Sequence, residues 1–179
     1  MDQHSVVCLY PRRHAAAPAF TLVEILVVVV ILGILAAIVV PKVSNASQTA
    51  RENTLHDDLR FLRTQITVYA AQHQDVHPGY PGGDTTQSAT GAAFVSQMTS
   101  YTDNVGNTSA TGSTVYAYGP YLSQMPINPV NNLTTILIVA GNGALTPDDS
   151  TGWLYQPQTG AIIPNRTGTD SSGTTFSTY

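Results

Sequence analysis

The chain has 179 residues, of which only 10% are charged, with 14 glycines, 11 prolines and a formal net charge of −4. An average soluble domain is about 25% charged, and this balance excludes a disordered acidic tail, a polytopic membrane protein and a collagen-like repeat. From Asp75 onward Arg166 is the one basic residue, facing Asp75, Asp84, Asp103, Asp148, Asp149 and Asp170, so no cationic stripe serves phosphates and no nucleic-acid partner is expected.

The chain opens with a basic stretch, residues 1–19, that contains Arg12, Arg13 and Cys8. With one cysteine there is no intrachain disulfide and no CxxC redox pair. Apolar weight is then concentrated in Phe20–Val40, interrupted only by Thr21, Glu24 and Gly33. At 1.5 Å per residue this segment spans roughly 30 Å, the thickness of a hydrocarbon core, so 20–40 is expected to be a membrane-crossing helix. Arg12 and Arg13 should stay on the cytoplasmic side and send the remainder across. Glu24 is the anomaly, because a carboxylate inside such a segment costs about 2.5 kcal/mol or more at its centre and calls for a partner.

Residues 41–74 continue as an amphipathic helix. Leu55, Leu59, Leu62, Ile66 and Tyr69 advance by four and three, a helical stripe, and Arg51, Glu52, Asp57, Asp58, Arg60 and Arg63 are expected off it, as surface ion pairs. Pro41 should bend or loosen the helix, and His77-Pro78-Gly79 should end it, giving a rod of roughly 80 Å over 20–74. His73 and His77, four residues apart, are expected to be solvated at the helix end rather than metal ligands.

Residues 75–179 read as a polar α+β head. An irregular connection leads to a short helix over 92–101, and strands are expected at 114–118, 134–140, 152–156 and 161–164. The last pair forms a hairpin around Gln156-Pro157-Gln158-Thr159-Gly160. The expected fold is therefore a long N-terminal helix packed on a small antiparallel sheet. No GxSxG, HExxH, P-loop or Cys/His cluster occurs, and no enzymatic activity is expected.

Ala19-Phe20-Thr21-Leu22-Val23-Glu24 followed by an apolar helix resembles the signal of type IV pilins and type II secretion pseudopilins. The resemblance implies a pilin-like fold, a cytoplasmic leader over 1–19, cleavage between Ala19 and Phe20 by a prepilin peptidase, and methylation of Phe20. Ala19 stands where that family usually has glycine. Cleavage would discard Cys8, Arg12 and Arg13. Glu24 becomes the charge partner of a neighbouring subunit's new amino group, and Gly33 and Pro41 fall at the family's helix-loosening positions.

The run Tyr118-Gly119-Pro120-Tyr121-Leu122, then Met125-Pro126-Ile127-Asn128-Pro129, then the Trp153 hairpin, resembles the G-type major pseudopilins. Members commonly bind calcium in the final loop, which makes Asp170, with Asp148 and Asp149, the calcium candidates, although that loop holds one acid where the family has a richer set. The implied role is a subunit of a type II secretion pseudopilus. It would be anchored in a bacterial inner membrane with a periplasmic head, polymerising with copies of itself and meeting minor pseudopilins and the secretion or pilus assembly machinery. A type IV pilus subunit and a signal-anchored exported enzyme or binding protein are the alternatives.

Overall fold

The computed structural model describes residues 20–179, and the calls on Cys8, Arg12, Arg13 and Ala19 lie outside these. The described chain divides into a short unit ending at Lys42 and a folded unit, Val43–Tyr179. One helix, α1 (Leu22–Gln72), runs from the first into the second, through Gly33 and Pro41.

In the folded unit α1 presents a regular stripe. Glu52, Leu55, Leu59, Leu62, Ile66, Tyr69 and His73 are all buried, at alternating steps of three and four. Two of these correct the sequence reading. Glu52 was expected at the surface and is only 6% exposed; His73 was expected in solvent and is 1% exposed. Both sit one step beyond the ends of the leucine stripe, on the face that turns inward. The Glu52 carboxylate meets Ser171, and His73 Nε2 lies 3.0 Å from Thr102 Oγ1 while its Nδ1 lies 2.7 Å from the Tyr69 carbonyl. The expected ion pairs among Asp57, Asp58, Arg60 and Arg63 are not formed either. Among the described residues the one ion pair is Arg166–Asp149, 3.2 Å apart. Arg63 instead donates to the main-chain oxygens of Ile162, at 2.9 Å, and Tyr179, at 2.5 Å.

Helix α2 (Gly91–Thr99) starts where Thr90 Oγ1 accepts the Ala93 N–H, and it buries Phe94, Gln97 and Met98. It stops short of Tyr101, which opens a hairpin not expected from the sequence: β1 (Tyr101–Thr102) pairs antiparallel with β2 (Thr108–Ser109). Asp103 holds the intervening loop. Its Oδ1 accepts the N–H groups of Val105, Gly106 and Asn107 at 3.0, 2.8 and 2.9 Å, and its Oδ2 accepts Asn107 Nδ2 at 2.8 Å. Gly106 has φ +109, and a Cβ there would stand 2.6 Å from the Tyr69 hydroxyl.

Burial by itself would raise the Asp103 carboxyl. The Asn107 side chain and the Gly106, Asn107 and Val105 N–H groups outweigh it and hold the group below the usual carboxylate range. A depressed native pKa means that the stabilisation is present above the unfolded value, near 3.9, and is lost as pH falls through the native one. Asp103→Ala should destabilise the folded unit by about 2–3 kcal/mol at neutral pH. The difference between variant and parent should shrink below about pH 4. Thermal unfolding followed by circular dichroism across pH 3–7 checks both, and a gap that stays constant to pH 3 would rule out the carboxylate's role.

The expected strand at 114–118 is not formed. Ser113 Oγ accepts the Val115 and Tyr116 N–H groups at 3.3 and 3.1 Å, diverting that backbone into a local turn, and Tyr118 alone bridges to Thr102. The principal sheet has order β3-β4-β5, with β3 (Ile136–Ile138), β4 (Trp153–Gln156) and β5 (Ala161–Pro164). The β4–β5 hairpin matches the expectation, Trp153 facing Pro164 and Gln156 facing Ala161. Gly160 closes it at φ +70, where a Cβ would meet the His77 ring at 2.6 Å.

The wholly antiparallel sheet is corrected at its third strand. β3 is shorter than the expected 134–140 and runs parallel to β4, Ile136 beside Trp153. Residues 139–152 are long enough to carry the chain back to the starting edge, as a parallel pair requires. The architecture is α+β, as expected, with sheets that are antiparallel and mixed. β4 is buried on both faces, and Trp153 and Tyr155 join Leu55, Leu62, Phe94 and Met98 in one core.

Candidate functional site

Two parts of the chain carry the expected functional residues. The first is the apolar start of α1. Thr21 Oγ1 accepts the Glu24 N–H at 3.2 Å, and Thr21 O accepts it at 3.1 Å, so Thr21 starts the helix where the apolar run begins. Phe20 stands 75% exposed just before it, and Glu24 lies in the first turn. In that turn a carboxylate also meets the positive end of the helix dipole. Among the described residues the Glu24 carboxylate has no ion-pair partner. Every apolar side chain from Leu22 to Val40 is exposed, and Gly33 has nothing within 4 Å of where its Cβ would be. By length and composition this stretch can cross a membrane. It offers an apolar surface all round, with one acid near its start.

Residues 18–40 match the family model described as a prokaryotic N-terminal methylation motif. The chain carries that motif. The chain is also 46% identical over 50 residues to the type II secretion system core protein G of Pseudomonas aeruginosa, a match covering 28% of this chain. The match spans about a third, 35%, of that relative's length. No solved structure matches the chain. The methylation motif and this match bear out the resemblance read from FTLVE.

The second part is the C-terminal region, where the calcium candidates lie. Asp148 and Asp149 flank Asn165, which is fully buried. Asn165 Oδ1 accepts the Asp148 and Asp149 N–H groups at 2.7 and 3.2 Å, and its Nδ2 donates to Asp148 Oδ1 at 2.7 Å. Asp148 also accepts the Ser150 N–H and hydroxyl at 3.0 and 2.7 Å, and these bonds, the Ser150 hydroxyl foremost, hold its carboxyl below the ordinary range. Asp149 accepts the Thr167 hydroxyl, the Thr167 N–H at 3.1 Å and Arg166 Nη1 at 3.2 Å, and is lowered chiefly by the Thr167 hydroxyl.

Asp170 organises its own loop. Oδ1 accepts the Ser172 N–H, the Ser172 hydroxyl and the Thr174 N–H, each at 2.8 Å, and Oδ2 accepts the Tyr179 hydroxyl at 2.6 Å. The Tyr179 bond is the largest influence, and the carboxyl is lowered to about 2. Among the described residues no three His, Cys, Asp or Glu side chains converge as a metal centre.

Sequence reasoning missed Glu52 and Asn165. Glu52 lay three residues before Leu55, so extending the stripe by one step would have placed it inward. Asn165 gave no such signal, because its side-chain partners at 148–151 reach it only in the fold.

Proposed function

We propose that this chain is a structural subunit of a type II secretion pseudopilus, matured by a prepilin peptidase and polymerised into a helical filament. The observation that carries the reading is the exposed, all-round apolar start of α1, with Glu24 in its first turn, lying under the methylation motif at 18–40. Such a surface is stable only in lipid or among other apolar helices. It fits a subunit that waits in the inner membrane, leader in the cytoplasm and head in the periplasm, and later packs against copies of itself.

In this reading the peptidase cuts between Ala19 and Phe20 and the new amino group is methylated. Glu24 then pairs with the amino group of a neighbouring subunit in surroundings of low dielectric. Gly33, which lacks a side chain, and Pro41, which supplies no N–H to the helix ladder, are the positions where the bundle could loosen α1. The assembly machinery and minor pseudopilins are the remaining partners. The subunit acts by assembly rather than catalysis.

Mass spectrometry of the subunit, recovered from cells that express a prepilin peptidase, tests the processing step. The expected product starts at Phe20 and carries one added methyl group. Assembled material that still begins at Met1 would overturn the proposal.

A further inference from the structure

We propose that the C-terminal segment of this chain is locked to α1 by a clasp of protein hydrogen bonds centred on Glu52 and Asp170, and that this clasp closes without a bound cation. It lies wholly within the folded unit Val43–Tyr179, so it stands apart from the assembly reading.

Glu52 reaches the segment from the helix. Its Oε1 accepts the Ser171 N–H at 2.9 Å and Gln48 Nε2 at 2.9 Å, and its Oε2 accepts the Ser171 hydroxyl at 2.5 Å. Asp170, the preceding residue, takes four hydrogen bonds from Ser172, Thr174 and Tyr179. Tyr179 in turn is fixed to the same helix, its ring stacked on His56 with centroids 4.0 Å apart and its main-chain oxygen accepting Arg63 Nη2 at 2.5 Å. Phe176, between these anchors, is buried in the core. Three positions of α1, the inward Glu52 and the flanking His56 and Arg63, thus hold one stretch of chain.

The donor chemistry argues against an ion there. A carboxylate has about four lone-pair sites, and Asp170 uses four of them on N–H and O–H hydrogens, while Glu52 uses three. Calcium requires six to eight oxygen ligands, several from carboxylates with free lone pairs. A cation beside Asp170 would face the hydrogens of two main-chain N–H groups. Asp148 and Asp149 offer no alternative cage: Ser150 and Asn165 occupy Asp148 Oδ1, and Arg166 and Thr167 occupy both oxygens of Asp149, so Asp148 Oδ2 stands alone where calcium needs about six to eight oxygens. The calcium ion implied by the family resemblance therefore does not fit these residues. The clasp does the work that an ion would do, joining the loop's acid to fixed partners and tying the loop to the helix.

Full-length protein in detergent should show the same unfolding midpoint in excess EGTA as in about 5 mM CaCl2, above the affinity range of weak extracellular calcium modules. Glu52→Gln, which turns an acceptor into a donor facing the Ser171 hydrogens, should lower the midpoint by about 4–8 °C in both buffers. Tyr179→Phe should lower it by about 2–4 °C in both and keeps the question open to test if the Glu52 variant fails to fold. A midpoint that rises with calcium in the parent and not in Asp170→Ala would overturn the proposal. So would Glu52→Gln and Tyr179→Phe variants as stable as the parent.

Discussion

Glu24→Ala should insert into the membrane at least as well as the parent and be missing from filaments. The first half follows from removing an acid that costs about 2.5–3.5 kcal/mol at the centre of a membrane helix and less near its end. The second follows from what the substitution leaves behind. In the proposed filament the amino group of Phe20 on one subunit would lose the carboxylate of its neighbour, and removing one member of a buried charge pair costs about 3–5 kcal/mol. That loss recurs at every subunit, so yield should fall by two orders of magnitude or more. Immunoblots of sheared filaments against the membrane fraction read both halves, and a normal filament yield would refute the pairing. Glu24→Gln should fall between the two, keeping the shape and a hydrogen bond without the charge.

Trp153→Ala carries the largest expected effect on the folded unit. Trp153 is completely buried at the start of β4, in register with Ile136 on one side and Pro164 on the other, and its Nε1 donates to the Pro126 carbonyl at 3.0 Å. Truncation removes the largest side chain of the core and leaves a cavity between the strand and α1's leucines, costing about 3–5 kcal/mol. Against a total stability of about 5–15 kcal/mol, the midpoint should drop by about 10 °C or more. Trp153 is the single tryptophan, so circular dichroism is the measurement to use. A loss below about 1 kcal/mol would mean that β4 is not the centre of the core.

What the sequence disclosed about this molecule divides by the range of the interactions involved. FTLVE, the apolar run behind it and the stripe Leu55–Tyr69 are patterns of adjacent residues, and hydropathy with a period near 3.6 is enough to read them. The Trp153 hairpin was equally legible, because Pro157 and Gly160 state the turn within a few residues. β1 and β2 were not, since each is two residues long and depends on Asp103 gathering three N–H groups. Nor was the direction of β3, which follows from the path of residues 139–152 rather than from the character of Ile136–Ile138. Glu52 and His73 mark the same boundary. A polar residue on an apolar stripe goes inside only if a distant partner satisfies it, and Ser171 and Thr102 are distant.

Those distances have a consequence for how the unit reaches its native state. The bond from Glu52 to Ser171 spans 119 residues of sequence, and that from Arg63 to Tyr179 spans 116. Contacts of such separation close late, because the intervening loop must lose its freedom before they return any energy. During synthesis α1 emerges long before the segment that covers it, so its leucine face and the Glu52 carboxylate stay open until nearly the whole unit is available. Residues 170–179 are therefore the ones that complete the fold, and deleting a few of them should slow folding far more than the same deletion in the loop at 141–147.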